Sequence, residues 1–489
     1  MKTQRLLAVL VVLAALGALA LGRAPLTAQE KPPLDAGLAK ALATIQGPEA
    51  YAIVKHLASP AFAGRLTGHP GYTAAAEWAA GMFKKWGLRP IDPKTGYLQP
   101  YPSPYTVVQK AELTLLLPDE KTGRTLAPNA DFLPLFFTDS GQVEAELAFA
   151  GWGISAPDLG YDDYAGLDVK GKFVLCFRGT PGLPDPKFQT HDEHRTRMKT
   201  ARDKGAVGLI YIYPEPISNP NGDWLQGFLP VMLSEKMTDL ILKERGTNVA
   251  DLRRALQTFK RPLSFALKSK VRYAVVAEHH PDGVGFNVAG SIEGSDPALR
   301  KEAVVVGGHF DHNGLHLGFL YPGADDNASG SATVMEIAEA YARLAKKPKR
   351  SVVFVLFGGE EMGLQGSTYF AEHLPSFFTK ADAMFNFDMT GEGDGAGASA
   401  SADGLRTAIL EADKHVGIIR GVGQIRGVGV RSSDFAPFFL KGAATASIGS
   451  NGPHLAYHGT GDTIYRINPD IMADIAKVAF LASYFWANR

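Results

Sequence analysis

Residues 303–330 read AVVVGGHFDHNGLHLGFLYPGADDNASG. Three valines and two glycines lead into His309 and Asp311, and Asp325 and Asp326 follow in a Gly/Ala/Asn/Ser loop. A short apolar run of this kind predicts a buried strand. A buried strand that delivers an imidazole and carboxylates into a loop has the makings of a metal site. The other ligands must then lie at the ends of neighbouring strands.

Downstream the texture is regular. Apolar runs at 303–308, 352–357, 381–388 and 443–448 alternate with helical patterns at 329–346, 363–373 and 405–415. Val334, Ile337, Ala338, Tyr341 and Leu344 give the first of these helices one apolar face. A last helix starts at Asn468-Pro469, a cap followed by proline at the first helical position. Near-continuous apolar strands alternating with helices predict an α/β fold, with a mostly parallel mixed sheet sandwiched by helices.

In such sheets ligands bind outside the carboxyl ends of the strands. The strand at 303–308 ends at His309, and 351–357 runs into Gly358-Gly359-Glu360-Glu361. The strand at 381–387 ends at Asp388, and the loop after 443–448 carries His454 and His458. Several carboxylates buried together require cations. Oxygen and nitrogen donors without sulfur suit Zn²⁺, with Mn²⁺ or Co²⁺ as substitutes. So many carboxylates over-charge one zinc, and two metals sharing one carboxylate is the better stoichiometry. Adjacent residues point in different directions, so one of Glu360 and Glu361 is read as a ligand and the other as a general base. The His-X-Asp spacing of His309 and Asp311 places a carboxylate behind the imidazole.

The 489 residues exceed one ordinary core, which predicts two domains. Fifty basic and fifty acidic residues give a formal charge of +0, which argues against a nucleic-acid partner. The single cysteine, Cys176, excludes an intrachain disulfide or cysteine-based zinc site, and its apolar surroundings make it a core residue. Lys2, Arg5 and the apolar stretch 6–22 form an export signal, with cleavage expected after Ala20 or Ala28. The expected location is periplasmic or secreted, without stable membrane insertion after cleavage; an uncleaved anchor is the competing reading. Between the two ends lies a different texture. Short β-like runs at 107–117, 143–149, 173–177 and 207–213 are separated by Gly, Pro and Asp. His191 and His194 stand in a charged stretch, HDEHRTR, read as a solvated surface.

The motifs GGHFDH, GADDNASG, GGEEMGLQGS, FNFDMTG and YHGTGDT, in this order, resemble the co-catalytic di-zinc aminopeptidase family. That family includes bacterial leucyl aminopeptidases and, more distantly, glutamate carboxypeptidase and the transferrin receptor. The β-rich middle is similar to the protease-associated domain often inserted in these enzymes. With the export signal taken as 1–28, the resemblance implies an N-terminal part of the peptidase domain at 30–130, a protease-associated domain at 131–270 and the zinc peptidase domain at 271–489. It implies that His309, Asp325 and Asp388 hold one zinc, and Asp325, Glu361 and His458 the other. Glu360 matches the general base, Asp311 the partner of His309, and a cis peptide is implied between Asp325 and Asp326. His454 and His312 are alternatives to His458 and His309. The expected substrate is a peptide or small protein, cleaved at its N-terminal bond. A carboxypeptidase or dipeptidase, an inactive receptor-like binding module, and a single-zinc glutaminyl cyclase-like acyl transferase are the competing functions.

Overall fold

The computed structural model describes residues 33–426 and 431–489; the expected export signal at 1–28 lies outside them. Among the described residues no helix is long and apolar enough to cross a membrane.

The carboxy-terminal half, joined by the strands Arg89–Pro90 and Leu98–Pro102, builds a nine-stranded mixed sheet. At its centre Ser351–Phe357, Glu302–His309, Lys380–Phe387 and Ala444–Ser450 run parallel, in that spatial order. The strand Val284–Ile292 closes one side antiparallel. Every residue of Ser351–Phe357 is buried, as a strand covered on both faces must be. Side chains alternate between the faces. Phe357 meets Phe370 and Phe438 on one face, and Phe354 meets Tyr341 on the other. Tyr341 in turn packs edge-on to Phe480 of the last helix, Pro469–Ala487. That helix is capped as expected, with Asn468 Oδ1 accepting from Asp470 N at 3.0 Å.

The register sets the strand ends side by side. His309 pairs with Phe357, Gly307 with Asn386, and Phe387 with Ile448. The loops that follow therefore open on one edge. Gly308 is needed there, because a Cβ would sit 2.4 Å from the Phe387 carbonyl oxygen.

Helix Gly330–Ala342 carries more than the one apolar face expected of it. It is buried nearly all round, Glu336 included. Glu336 is 3% exposed, and its one hydrogen bond accepts from Gln46 N at 3.2 Å. Burial pushes its carboxyl up to about 7 from 4.5. The folded value lies above the unfolded one, so this stabilisation is complete below about pH 4.5 and is lost as pH rises through 7. Glu336→Gln keeps the acceptor and removes the charge. Its advantage over wild type in denaturant midpoint should grow between pH 5 and pH 8, by about 3 kcal/mol. A difference that does not change with pH would place the titration elsewhere.

The middle of the chain folds as an eight-stranded sheet of its own. The long antiparallel pair Tyr105–Leu116 and Ser264–His280 frames it. Gly141–Ala150, Phe173–Phe177, Gly208–Tyr213 and Val231–Ser234 then run parallel in the interior of the sheet. Its strands thus span 105–280, wider than 131–270, because pairing partners far apart in sequence meet at both ends of the unit. Cys176 is buried and free. The HDEHRTR stretch departs from its reading. His194 and Arg197 are 4% and 1% exposed, and Arg197 donates to the carbonyls of Trp152, Asp192 and Gly179.

Candidate metal centre

Four strand ends and two loops converge. His309 closes its strand, and its Nε2 lies 3.5 Å from Asp388 Oδ1 and 3.5 Å from Asp326 Oδ1. His458 Nε2 lies 2.9 Å from Glu361 Oε2 and 3.2 Å from Asp326 Oδ2. The two imidazoles thus face opposite oxygens of one carboxylate. That carboxylate belongs to Asp326.

This corrects the expectation placed on Asp325. Its Oδ2 accepts from His454 Nδ1 at 2.6 Å, and its Oδ1 from Gly391 N at 2.9 Å. It faces away from His309 and His458 because neighbouring residues point to different sides of the loop. The cis peptide is likewise one residue later, between Asp326 and Asn327. His454 is accounted for by Asp325, with Glu392 Oε2 3.7 Å away.

The loop is held by groups on three sides. Asp462 accepts the backbone N–H of Asp325 at 2.8 Å and of Asp326 at 3.0 Å. Asn327 donates to Phe387 O and accepts from Gly330 N and Met389 N. Gly330 has no room for a side chain, since a Cβ would lie 2.3 Å from Asn327 Oδ1. Beneath the loop, the buried Arg65 guanidinium donates to the carbonyls of Phe310, Leu57, Pro322 and Gly323.

Asp311 lies behind His309, with its backbone carbonyl 3.3 Å and its Oδ1 3.7 Å from Nδ1, and Oδ1 also accepts from Glu360 N at 3.2 Å. Ser433 Oγ donates to Asp388 Oδ2 at 2.7 Å. His312 Nδ1 meets Glu361 Oε1 at 2.8 Å, which leaves Oε2 turned to His458. His312 therefore sits behind Glu361 and does not replace His309. Glu360 falls in one donor group with His309 and Asp388. Tyr457 stacks on His458, ring centroids 3.9 Å apart.

The electrostatics are those of an anionic centre. Burial raises the Glu360 carboxyl well above its usual range, opposed by His309 and reinforced by Glu361. Burial also acts to raise Glu361, but His458 and His312 hold it well below. Burial disfavours charge on His309, yet Glu360, Asp311 and Asp388 draw its pKa well above the usual imidazole value. Cations offset such crowding. The geometry fits zinc. Tetrahedral bonds of about 2.0–2.2 Å put neighbouring donors roughly 3.3–3.5 Å apart, close to the 3.2–3.5 Å separations from the two imidazoles to Asp326 and Asp388.

Asp326 and Asp462 are site residues to which sequence reasoning assigned no ligand or supporting role, and His312 was read only as an alternative to His309. Asp326 stood beside the residue chosen, and Asp462 stood within the quoted YHGTGDT motif. Only the local backbone path separates Asp325 from Asp326, and no spacing rule supplies it.

Two histidines and several carboxylates thus gather at the carboxyl ends of the parallel strands. Residues 287–483 match Peptidase family M28. An aminopeptidase of Pseudomonas aeruginosa is 25% identical over 348 residues, 70% of this chain and 56% of its own length. Aminopeptidase YwaD of Bacillus subtilis is 24% identical over 385 residues, 75% of this chain and 73% of its own. The chain thus spans little more than half of the Pseudomonas protein. Among solved structures, the aminopeptidase from Aneurinibacillus sp. strain AM-1 superposes with a TM-score of 0.66 at 20% identity, covering 92% of this chain and 96% of that one. The Peptidase M28 precursor from Shewanella amazonensis gives 0.68 at 18% identity, with the same coverage. These two likenesses extend over the middle unit as well as the peptidase sheet, and they concern the fold.

Proposed function

We propose that the chain is an exported aminopeptidase with two zinc ions, which hydrolyses the N-terminal bond of peptides. The observation that carries this reading is Asp326, whose two oxygens face His309 and His458 at 3.5 and 3.2 Å. His309, Asp388 and Asp326 would hold one zinc, and His458, Glu361 and Asp326 the other. Two ions held there would supply Lewis acidity for the scissile carbonyl and would make a water acidic enough to attack at neutral pH.

The chain's own residues do the rest. Glu360 takes the proton of the attacking water on its carboxylate and passes it to the departing amine. Its place beside His309 and Asp388 supports that role. Asp311 orients His309 from behind and fixes the backbone of Glu360. His312 and Ser433 turn Glu361 and Asp388 toward the centre. The middle unit is proposed as an inserted protease-associated domain, and the charged start followed by residues 6–22 supports export.

Metal analysis of the purified, metal-replete protein should give about two zincs per chain. Amino-acyl anilides should be cleaved, and the same compounds blocked at the amino group should not. Well under one zinc per chain would end the two-metal reading. Preference for blocked peptides with a free C-terminus would make the enzyme a carboxypeptidase.

A further inference from the structure

The middle unit reaches into the metal centre. The segment 214–224 leaves the strand Gly208–Tyr213 and passes against the peptidase loops. Ser218 N donates to His458 O at 3.1 Å, and His458 Nδ1 meets Ser218 O at 2.8 Å. Ser218 is fully buried and His458 is 6% exposed. A carbonyl oxygen only accepts, so Nδ1 must carry the hydrogen of this bond. The neutral ring then has its lone pair on Nε2, the nitrogen that faces Glu361 and Asp326.

The segment is itself anchored within its own unit. Asn219 Oδ1 accepts from Asn221 N at 2.8 Å, closing a tight turn just after Ser218. Asn219 Nδ2 reaches His194 Nε2 at 3.3 Å, and Arg178 donates to the same nitrogen. With two donors on Nε2, the buried His194 is an acceptor there. A second tie is the Arg195–Asp223 ion pair at 3.0 Å. Asn221 and Arg195 also press on Gly363, two residues after Glu361, where a Cβ would lie 3.1 Å from each.

We infer that the middle unit sets the tautomer and orientation of the metal ligand His458, through the Ser218 carbonyl held in place by Asn219 and His194. Metal-ligating histidines generally donate their second ring N–H to a carbonyl or carboxylate, and loss of that partner weakens metal binding about 10–100-fold. Here the partner comes from the other sheet unit, more than two hundred residues earlier in the chain. The middle unit is then part of one metal site. Asn219 and His194 are positioning residues, without contact to substrate. This inference rests on the two-zinc reading above.

The test is zinc affinity of the full-length protein, measured by competition with a chromogenic chelator. Circular dichroism and thermal unfolding run alongside. Wild type should hold two zincs. Asn219→Ala, with secondary structure retained, should release one of them about 10–100-fold more readily and keep the other unchanged. Ser218→Ala should match wild type, because its Oγ has no hydrogen-bond partner and the carbonyl remains. Should Asn219→Ala fail to fold, Asn219→Asp keeps the acceptor for Asn221, drops the donor to His194, and carries the same two outcomes. Unchanged affinity in the folded Asn219 variant overturns the inference and leaves the two-zinc reading intact. Equal weakening by Ser218→Ala also overturns it, since the hydroxyl would then be the active group. A wild type that binds no zinc removes the reading on which the inference stands.

Discussion

Glu360→Gln protein should bind about two zincs per chain and turn over roughly 10²–10⁴-fold more slowly than wild type, with KM little changed. The substitution keeps the size of the side chain, and its backbone N–H still meets Asp311 Oδ1. What it removes is the ability to take a proton. A loss of that size is about 3–5 kcal/mol of transition-state stabilisation. The experiment decides between two roles for Glu360, because its carboxylate falls within ligand reach of His309 and Asp388. As a base, Glu360 is dispensable for metal. As a third donor to the His309 site, its amide would cost zinc as well as rate. An unchanged kcat would remove it as the base. Glu361→Gln is the matched comparison, since Glu361 Oε2 lies 2.9 Å from His458 Nε2. That variant should lose zinc and activity together.

The strands were legible because burial on both faces leaves an apolar run that little else produces. The run at 303–308 became Glu302–His309, and 352–357 became Ser351–Phe357. Legible too was the edge on which the chemistry gathers, because parallel strands end together and their loops carry the polar residues. His309, Glu360, Glu361, Asp388 and the pair His454 and His458 follow from that rule, the resemblance singles out His458, and the structure brings it together with the first four.

What the sequence did not show depends on contacts between distant residues. His194 sits in a charged stretch that reads as surface, yet it is buried because Tyr211 and Asn219 pack over it. Glu336 occupies what a helical wheel makes the polar side, yet Gln46, at the start of helix Gly47–Leu57, reaches it there and it is buried. The role of Ser218 lies in a carbonyl, which every residue has, and only the fold selects it. The segments 324–329 and 462 show the same thing at the centre. Asp462 captures two adjacent N–H groups, and Asn327 ties the loop to the end of the strand Lys380–Phe387. Together they decide which aspartate faces inward.

That choice yields the sharpest contrast between two neighbouring residues. Asp326→Asn should bind well under one zinc per chain and fall to background activity. Both imidazoles lose the carboxylate they share, at 3.5 Å on one side and 3.2 Å on the other. Asp325→Asn should keep two zincs and most of its turnover, because Asp325 turns to His454 and to Gly391 N. Its cost falls on stability. The charge-assisted bond to His454 is lost, and Glu392 is left as the remaining carboxylate beside that imidazole. Breaking one partner of such a bond costs about 1–3 kcal/mol. The His454 ring is pushed up to about 9, chiefly by its bond to Asp325. It is therefore charged near neutral pH in wild type and much less so in Asp325→Asn. Zinc content and thermal midpoint, measured on both variants at pH 7, separate the two residues. Should Asp325→Asn strip the metal while Asp326→Asn retains it, the bridge is Asp325 and the loop runs the other way in solution.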